Sequence, residues 1–246
     1  MSDVELLRWD APGPYEVAFS TRAGGVSDGA FASLNLGLLT EDDPERVREN
    51  RRRLCRAAGV EPERATMVRQ RHGADVHRAA PGRGIAEPGA AQAEGDGLWS
   101  DEPGVAMLLL TADCLPIALA RGPGRDPALA ILHAGWRGLL AGIAAAGAEA
   151  LGGGTLAAVI GPGIGPCCYE VGEAVAVPFR EAFGDDVAPS GTLDLWTAAE
   201  RALRAAGCAR VDRTDLCTSC GSERYFSHRR DRGRTGRQGV IAHVAG

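Results

Sequence analysis

No lysine occurs in the 246-residue sequence, so all 27 basic residues are arginines. They face 32 acidic residues, and the formal net charge of −5 excludes the basic footprint expected of a general nucleic-acid binder. Alanine and glycine are abundant, a bias read as high-GC coding rather than function. Long apolar runs are missing too. Val105–Leu110 and Leu139–Ala146 fall far short of the ~20 residues that span a bilayer. Met1–Tyr15 carries acidic residues and prolines in place of the basic start and apolar stretch of a secretory signal. A cytoplasmic protein that binds neither nucleic acid nor membrane is expected. Aromatic residues make up 5% of the chain, too few to announce an oligomeric interface. The seven cysteines, in a large and reduced chain, read as core residues, metal ligands or reactive thiols instead of a disulfide framework.

Against these absences, strands and helices alternate along the whole chain without a break in composition or an internal repeat. The expectation is one α/β (α+β) domain over residues 1–246, with a mixed central sheet flanked by helices. Tyr15–Ser20, Ala65–Gln70, Ala74–Ala79, Val105–Leu110, Leu115–Ala120, Ala128–His133, Leu156–Ile160 and Val240–Val244 read as strands. Asp42-Asp-Pro-Glu45 opens a helix with an acidic cap and a first-turn proline, and Gly59 stands just past its end. Further helices are expected over Arg137–Leu151, Val171–Phe183 and Leu193–Ala206. Pro81–Gly95, rich in glycine, proline and alanine, reads as a mobile loop.

Three metal-ligating side chains stand at the ends of these elements. His72 lies in Gln70-Arg-His-Gly73 between two short strands, and Cys114 in Thr111-Ala-Asp-Cys-Leu-Pro116 at the break between two apolar ones. His133 stands where a strand gives way to a helix, in His133-Ala-Gly-Trp-Arg-Gly138. Two imidazoles and one thiolate suit zinc, and a free fourth position makes such a site catalytic in type. A lone cysteine among Leu and Ala is otherwise an ordinary core residue, and the wide sequence separation of the three does not settle the choice. Cys217-Thr-Ser-Cys220 reads as a core or weakly redox-active pair, because no second pair with ribbon spacing accompanies it. Cys167-Cys168 reads as packing or pocket wall, and Gly161-Pro-Gly-Ile-Gly-Pro166 as a structural turn, since its spacing does not fit a dinucleotide fingerprint.

These motifs, with Thr21-Arg-Ala-Gly-Gly-Val-Ser27, Ser33-Leu-Asn-Leu-Gly37, Cys167-Cys-Tyr-Glu-Val171 and Phe226-Ser-His-Arg-Arg230, occur in an order that resembles the YfiH/laccase-domain family. That family is also called multicopper polyphenol oxidase-like or purine nucleoside phosphorylase-like. The resemblance covers residues 15–244. It implies a fold similar to the catalytic domain of cytotoxic necrotizing factors and a metal held by His72, Cys114 and His133. It also implies phosphorolysis of adenosine, inosine, guanosine and methylthioadenosine, with deamination of adenosine. Arg71 before His72, and His228 in place of an aromatic residue, depart from the family pattern without removing a ligand.

Phosphorolysis needs an anion site, and Arg22, Arg137, Arg229 and Arg230 are candidates because guanidinium matches phosphate oxygens bidentately. The Ala23–Ser27 loop offers backbone N–H groups, so Ser27 joins the substrate-binding candidates, with Asn35 from the neighbouring motif. Asp113 and Glu170 are candidate proton shuttles, and Asp113 also suits a role orienting a ligand histidine. The expected cofactor is Zn2+, with copper the alternative, and the expected partners are purine nucleosides and inorganic phosphate. Two rival chemistries remain. A copper-type phenol oxidase lacks the His-x-His pairs of a multicopper cluster, with five histidines in all. A cysteine-dependent hydrolase would use Cys114 as nucleophile and His133 as its base.

Overall fold

Strands that are apolar at every position must be covered on both faces, and the chain meets that demand by stacking two sheets. The computed structural model of the protein describes residues 3–80 and 93–246. In chain order its elements are β1 (Leu6–Arg8), β2 (Tyr15–Ser20), α1 (Pro44–Ala58), β3 (Ala65–Thr66), β4 (Val76–Arg78) and β5 (Gly97–Ser100). β6 (Ala106–Thr111), β7 (Leu115–Arg121), β8 (Leu129–Ala134), α2 (Trp136–Leu140), α3 (Ile143–Ala150) and β9 (Leu156–Ile160) come next. The last are α4 (Glu173–Phe183), α5 (Leu195–Ala205), β10 (Cys208–Arg213) and β11 (Gln238–Val244).

The mixed α/β class is as expected, but the single central sheet is replaced by two mixed sheets. One runs β1-β2-β11-β6-β3 and the other β10-β9-β7-β8-β5-β4. The alternation of side chains shows why neither could be assigned from the sequence. In β6, Met107 and Leu109 point between the sheets, while Ala106 and Leu108 pack outward with Leu54 and Cys55 of α1. In β7, Ala118 and Ala120 point between the sheets, while Ile117 and Leu119 pack outward against α2–α5. Both faces are therefore apolar, and no polar stripe marks which strand belongs where. Each fully buried Leu or Ile here contributes roughly 1.5–3 kcal/mol through loss of hydrated apolar surface.

The first long helix forms as its residues dictate: the Asp43 carboxylate accepts from the Glu45 N–H, Pro44 opens the first turn and Gly59 ends it. The helix expected over Arg137–Leu151 breaks in two at Gly142, whose φ of 88° lies in the left-handed region that a side chain disfavours. β1, β5 and β10 were not expected. β5 is four residues long and opens on glycine, and β10 is a partly exposed edge rich in charge. Of the expected Pro81–Gly95 loop, residues 81–92 lie outside the described residues. Among the described residues no helix is long and apolar enough to cross a membrane.

Two crossings of the chain between the sheets bring distant segments together. The stretch from β3 to β4 passes from the first sheet to the second and carries His72. The turn Ala112–Cys114, from β6 to β7, makes the same crossing at one end of the stack.

Candidate metal centre

Gln70 explains where the first crossing lies. Its side-chain amide pairs with the β6 backbone, donating to the Leu110 carbonyl at 2.7 Å and accepting from the Leu110 N–H at 2.9 Å. This fastens the Gln-x-His-Gly turn beside the end of β6, next to the Ala112–Cys114 corner. His133 reaches the same place from β8, where Pro116 of β7 is its register partner. The donor atoms of His72, Cys114 and His133 all lie within 4.8 Å of one another. The two imidazole rings meet edge to face with centroids 4.8 Å apart. His133 is buried, Cys114 is partly buried and His72 is exposed, so the cluster opens on one side. Both corners are strained: His72 has φ 62° and Asp113, beside Cys114, has φ 90°. Such conformations cost a non-glycine residue about 1–3 kcal/mol each.

One buried carboxylate organises the cluster. Asp96, immediately before β5, accepts from His133 Nδ1 at 2.7 Å and also receives the backbone N–H groups of Arg71, His72 and Gly73 at 3.0, 2.8 and 2.6 Å. The His133 N–H in turn donates to the Asp96 carbonyl. Because the carboxylate pairs with Nδ1, Nε2 is the His133 atom left to face the Cys114 sulfur. Burial works against the Asp96 charge, but these donors outweigh it and hold the carboxyl at about 2. Burial likewise opposes charge on the other two groups. The His133 and His72 imidazoles nevertheless bring the Cys114 thiol down to about 6, and Cys114 with Asp96 raises His133 to about 9. A thiolate and two imidazoles, one with its tautomer set by a carboxylate, match the donor set of an open three-ligand zinc site.

Gly135 completes the fit. It lies within contact of the ligands, and a Cβ there would stand 2.9 Å from Cys114 Sγ and 3.3 Å from His72 Cδ2. Its φ of −84° is open to any residue, so Gly135→Ala tests crowding alone. The expected result is an unchanged melting temperature with metal content and turnover reduced on the order of 10- to 100-fold. Full metal occupancy in that variant, measured by elemental analysis, would show that the ligands close elsewhere.

The candidates outside the triad divide. Asp113 does not orient a histidine of the cluster, as expected of it; Asp96 orients His133. Asp113 instead accepts from Thr218 Oγ1 at 2.6 Å and the Arg229 N–H at 2.7 Å, and its carbonyl accepts from the Ile164 N–H, which seats the glycine-rich turn behind the Cys114 corner. Arg22 is committed to the carbonyls of Ala32 and Ser222 and lies over the Phe226 ring. Arg230 pairs with Asp231 and donates to the Thr218 and Tyr225 carbonyls. Ser27 and Asn35 belong to a buried hub: both donate to the Asp42 carboxylate, and Asn50 donates to Ser27 Oγ and the Asn35 carbonyl. These four side chains are engaged in the scaffold's own hydrogen bonds.

Arg137 and Arg229 differ from them. Both are exposed, and among the described residues neither has a carboxylate partner. Arg137 lies over the Trp136 ring, and Arg229 lies over Tyr169 and donates to the Glu170 carbonyl. The Tyr169 phenol is pushed up to about 12 by burial, raised further by the nearby Cys114 and Asp113 charges and opposed by Arg229 and Arg137. Arg237, not anticipated, also lies close to Cys114 and Asp113; burial lowers its pKa and those two negative charges resist the change. Its backbone N–H donates to Asn35 Oδ1, which links the buried hub to the site rim. The Glu170 side chain is exposed beside them.

Residues 16–245 match the family described as multi-copper polyphenol oxidoreductase laccase. A purine nucleoside phosphorylase of Pseudomonas aeruginosa is 39% identical over 239 residues, covering 93% of each chain. The purine nucleoside phosphorylase YlmD of Geobacillus stearothermophilus is 38% identical over 257 residues, covering 94% of this chain and 91% of its own. The crystal structure of YlmD from that organism superposes with a TM-score of 0.89 at 36% identity, over 98% of this chain and 96% of that one.

Proposed function

This chain belongs to the multi-copper polyphenol oxidoreductase laccase family, and on that premise we propose that it is a zinc-dependent purine nucleoside phosphorylase with a secondary adenosine deaminase activity. The observation that carries the reading is the open His72–Cys114–His133 cluster with the exposed guanidiniums of Arg137 and Arg229, neither of which has a carboxylate partner among the described residues. The names of the relatives agree with it. Adenosine, inosine, guanosine and methylthioadenosine are the proposed nucleosides.

In phosphorolysis a phosphate oxygen attacks the ribose C1′, the bond to the purine breaks, and the departing base must take up a proton. Arg137 and Arg229 are suited to receive the phosphate as a fork of N–H donors, fixing its orientation and offsetting its charge. Zinc held by the triad would supply Lewis-acid stabilisation of developing negative charge. Asp96 holds the His133 imidazole through Nδ1 and the His72 turn through its backbone N–H groups. The exposed Glu170 carboxyl, beside Tyr169, is the proposed proton carrier for the purine. The Tyr169 ring and the Trp136 face offer apolar surface against which a base can stack.

Incubation of the metal-analysed protein with adenosine, with and without inorganic phosphate, tests the reading. Adenine and ribose 1-phosphate are expected only where phosphate is present, and inosine in both tubes. In the Arg137→Ala variant the KM for phosphate rises on the order of tenfold, as loss of a charge-assisted contact implies, with the nucleoside KM little changed. No conversion in either tube, with one zinc per triad, would overturn the proposal.

One geometry favours a second reading. Without metal, Cys114, His133 and Asp96 form a thiolate–imidazolium–carboxylate series like that of cysteine-dependent amidases. Chelation separates the two: it silences the phosphorylase and leaves a cysteine nucleophile active.

A further inference from the structure

Along the sequence, Cys217-Thr-Ser-Cys220 has no second pair at ribbon spacing; the fold supplies one. β9 and β10 are parallel neighbours, so the loops leaving their C-terminal ends run side by side. The first carries Cys167 and Cys168, and the second carries Cys217 and Cys220. The loops are stitched by a bridge between Gly163 and Cys217, by the Thr218 N–H donating to the Gly163 carbonyl at 3.1 Å, and by the Gly165 N–H donating to Cys217 Sγ at 3.3 Å. All four sulfurs lie within 4.8 Å of one another, with Cys220 Sγ 3.5 Å from Cys167 Sγ and 3.4 Å from Cys168 Sγ.

We propose that Cys167, Cys168, Cys217 and Cys220 form a second metal site, a tetrathiolate that binds Zn2+ and clips the two loops together. Tetrahedral zinc with Zn–S bonds of ~2.3 Å sets its sulfurs about 3.8 Å apart, a spacing these four reach by small side-chain adjustments. Thiols are weak hydrogen-bond donors, so packing four of them together gains little on its own, whereas one zinc bonds all four. A disulfide would use two of the sulfurs and leave the convergence of the other two without a role. The Gly165 N–H aimed at Cys217 Sγ favours a thiolate at that position.

The clip touches no reactant. It acts on the wall of the first site: Tyr169 and Glu170 come directly after Cys168, and Thr218, inside the Cys217–Cys220 turn, holds the Asp113 carboxylate beside Cys114. The proposal concerns residues outside the triad and stands whatever reaction the triad performs.

The test is metal counting on the full-length protein. The wild type is expected to hold two zinc ions per chain, Cys114→Ser one, and Cys217→Ser/Cys220→Ser also one. Cobalt loaded into Cys114→Ser, where the triad is disabled, is expected to show the intense thiolate-to-cobalt charge-transfer band of a four-sulfur site. Adding Cys217→Ser and Cys220→Ser to that variant should remove the band. If the double variant fails to fold, the single Cys167→Ser change, at an exposed position, should release zinc to a chelator faster than wild type. Cobalt-treated Cys114→Ser without a charge-transfer band would overturn the proposal. So would an intact mass two hydrogens light and restored by reductant, which would mark a disulfide instead. A phosphorylase assay that fails while the cobalt band persists would discard the proposed reaction and keep this site.

Discussion

Replacing Cys114 with serine removes turnover while leaving the fold in place. Serine matches the cysteine in shape, but its hydroxyl does not ionise near neutral pH, so zinc at the proposed site would lose its one anionic ligand. Two imidazoles, one of them exposed, remain to hold it. Loss of about 4 kcal/mol of transition-state charge stabilisation corresponds to a fall of roughly 1,000-fold in kcat/KM. The stability effect is small, because Cys114 sits at a partly open corner and not in any of the apolar clusters. Circular dichroism and a melting curve close to wild type, with the triad's zinc missing from elemental analysis, are the expected observations. Cooperative unfolding at room temperature on this change would make the metal structural and end the catalytic reading. A chelated wild-type protein with full activity would shift the assignment to the cysteine nucleophile.

The Asp96→Asn variant loses both stability and metal affinity. The carboxylate offers two acceptor oxygens to four N–H groups. An amide replaces one oxygen with a donor, so either His133 Nδ1 or the Gly73 N–H then faces a hydrogen instead of a lone pair. A buried donor left without a partner costs about 1–3 kcal/mol, which at about 2–4 °C per kcal/mol for a chain of this size lowers the melting temperature by roughly 2–12 °C. The His133 tautomer is no longer set, and metal affinity falls about 10- to 100-fold, as it does when such supporting carboxylates are removed. The pH dependence arises from the same contacts. The folded carboxyl lies near 2, below the ordinary value of 3.8, so its contribution is fully present above about pH 4 and is lost as pH falls toward 2. The variant should lack this acid-side loss. Identical acid titrations of the two proteins would show that Asp96 is uncharged or unpaired in solution.

The three side chains that converge were legible in the sequence, and the carboxylate that organises them was not. His72, Cys114 and His133 each stand at the end or break of a strand-like segment, which is how a rigid scaffold presents a side chain. Asp96 stands between Gly95 and Gly97, at the end of a stretch that reads as loop, and its strand β5 is too short to announce itself. Its role depends on lying opposite His133 in the sheet register, and register does not show in a single sequence. The arginines were legible as a class only. Arg22 and Arg230 look the same as Arg137 and Arg229 in a row of letters, and backbone carbonyls far along the chain decide between them. Ser27 and Asn35 were singled out for motifs that turn out to encode the hub around Asp42 and Asn50. The four-cysteine convergence was hidden for the same kind of reason: adjacency of β9 and β10 brings together residues about fifty positions apart.

The two crossings between the sheets bear on the order in which the molecule is assembled. His72 and Cys114 lie on segments that leave one sheet and enter the other, and His133 belongs to the second sheet. Their donor atoms therefore converge only after the layers have docked and Asp96 has closed over the His72 turn. An unfolded or half-folded chain offers scattered ligands, and tight capture belongs to the native state. A metal held by these three side chains would therefore load late, downstream of the collapse that builds the sandwich. Such an ion would act as a rivet through both layers, and the sandwich's resistance to opening would rise with the supply of free metal.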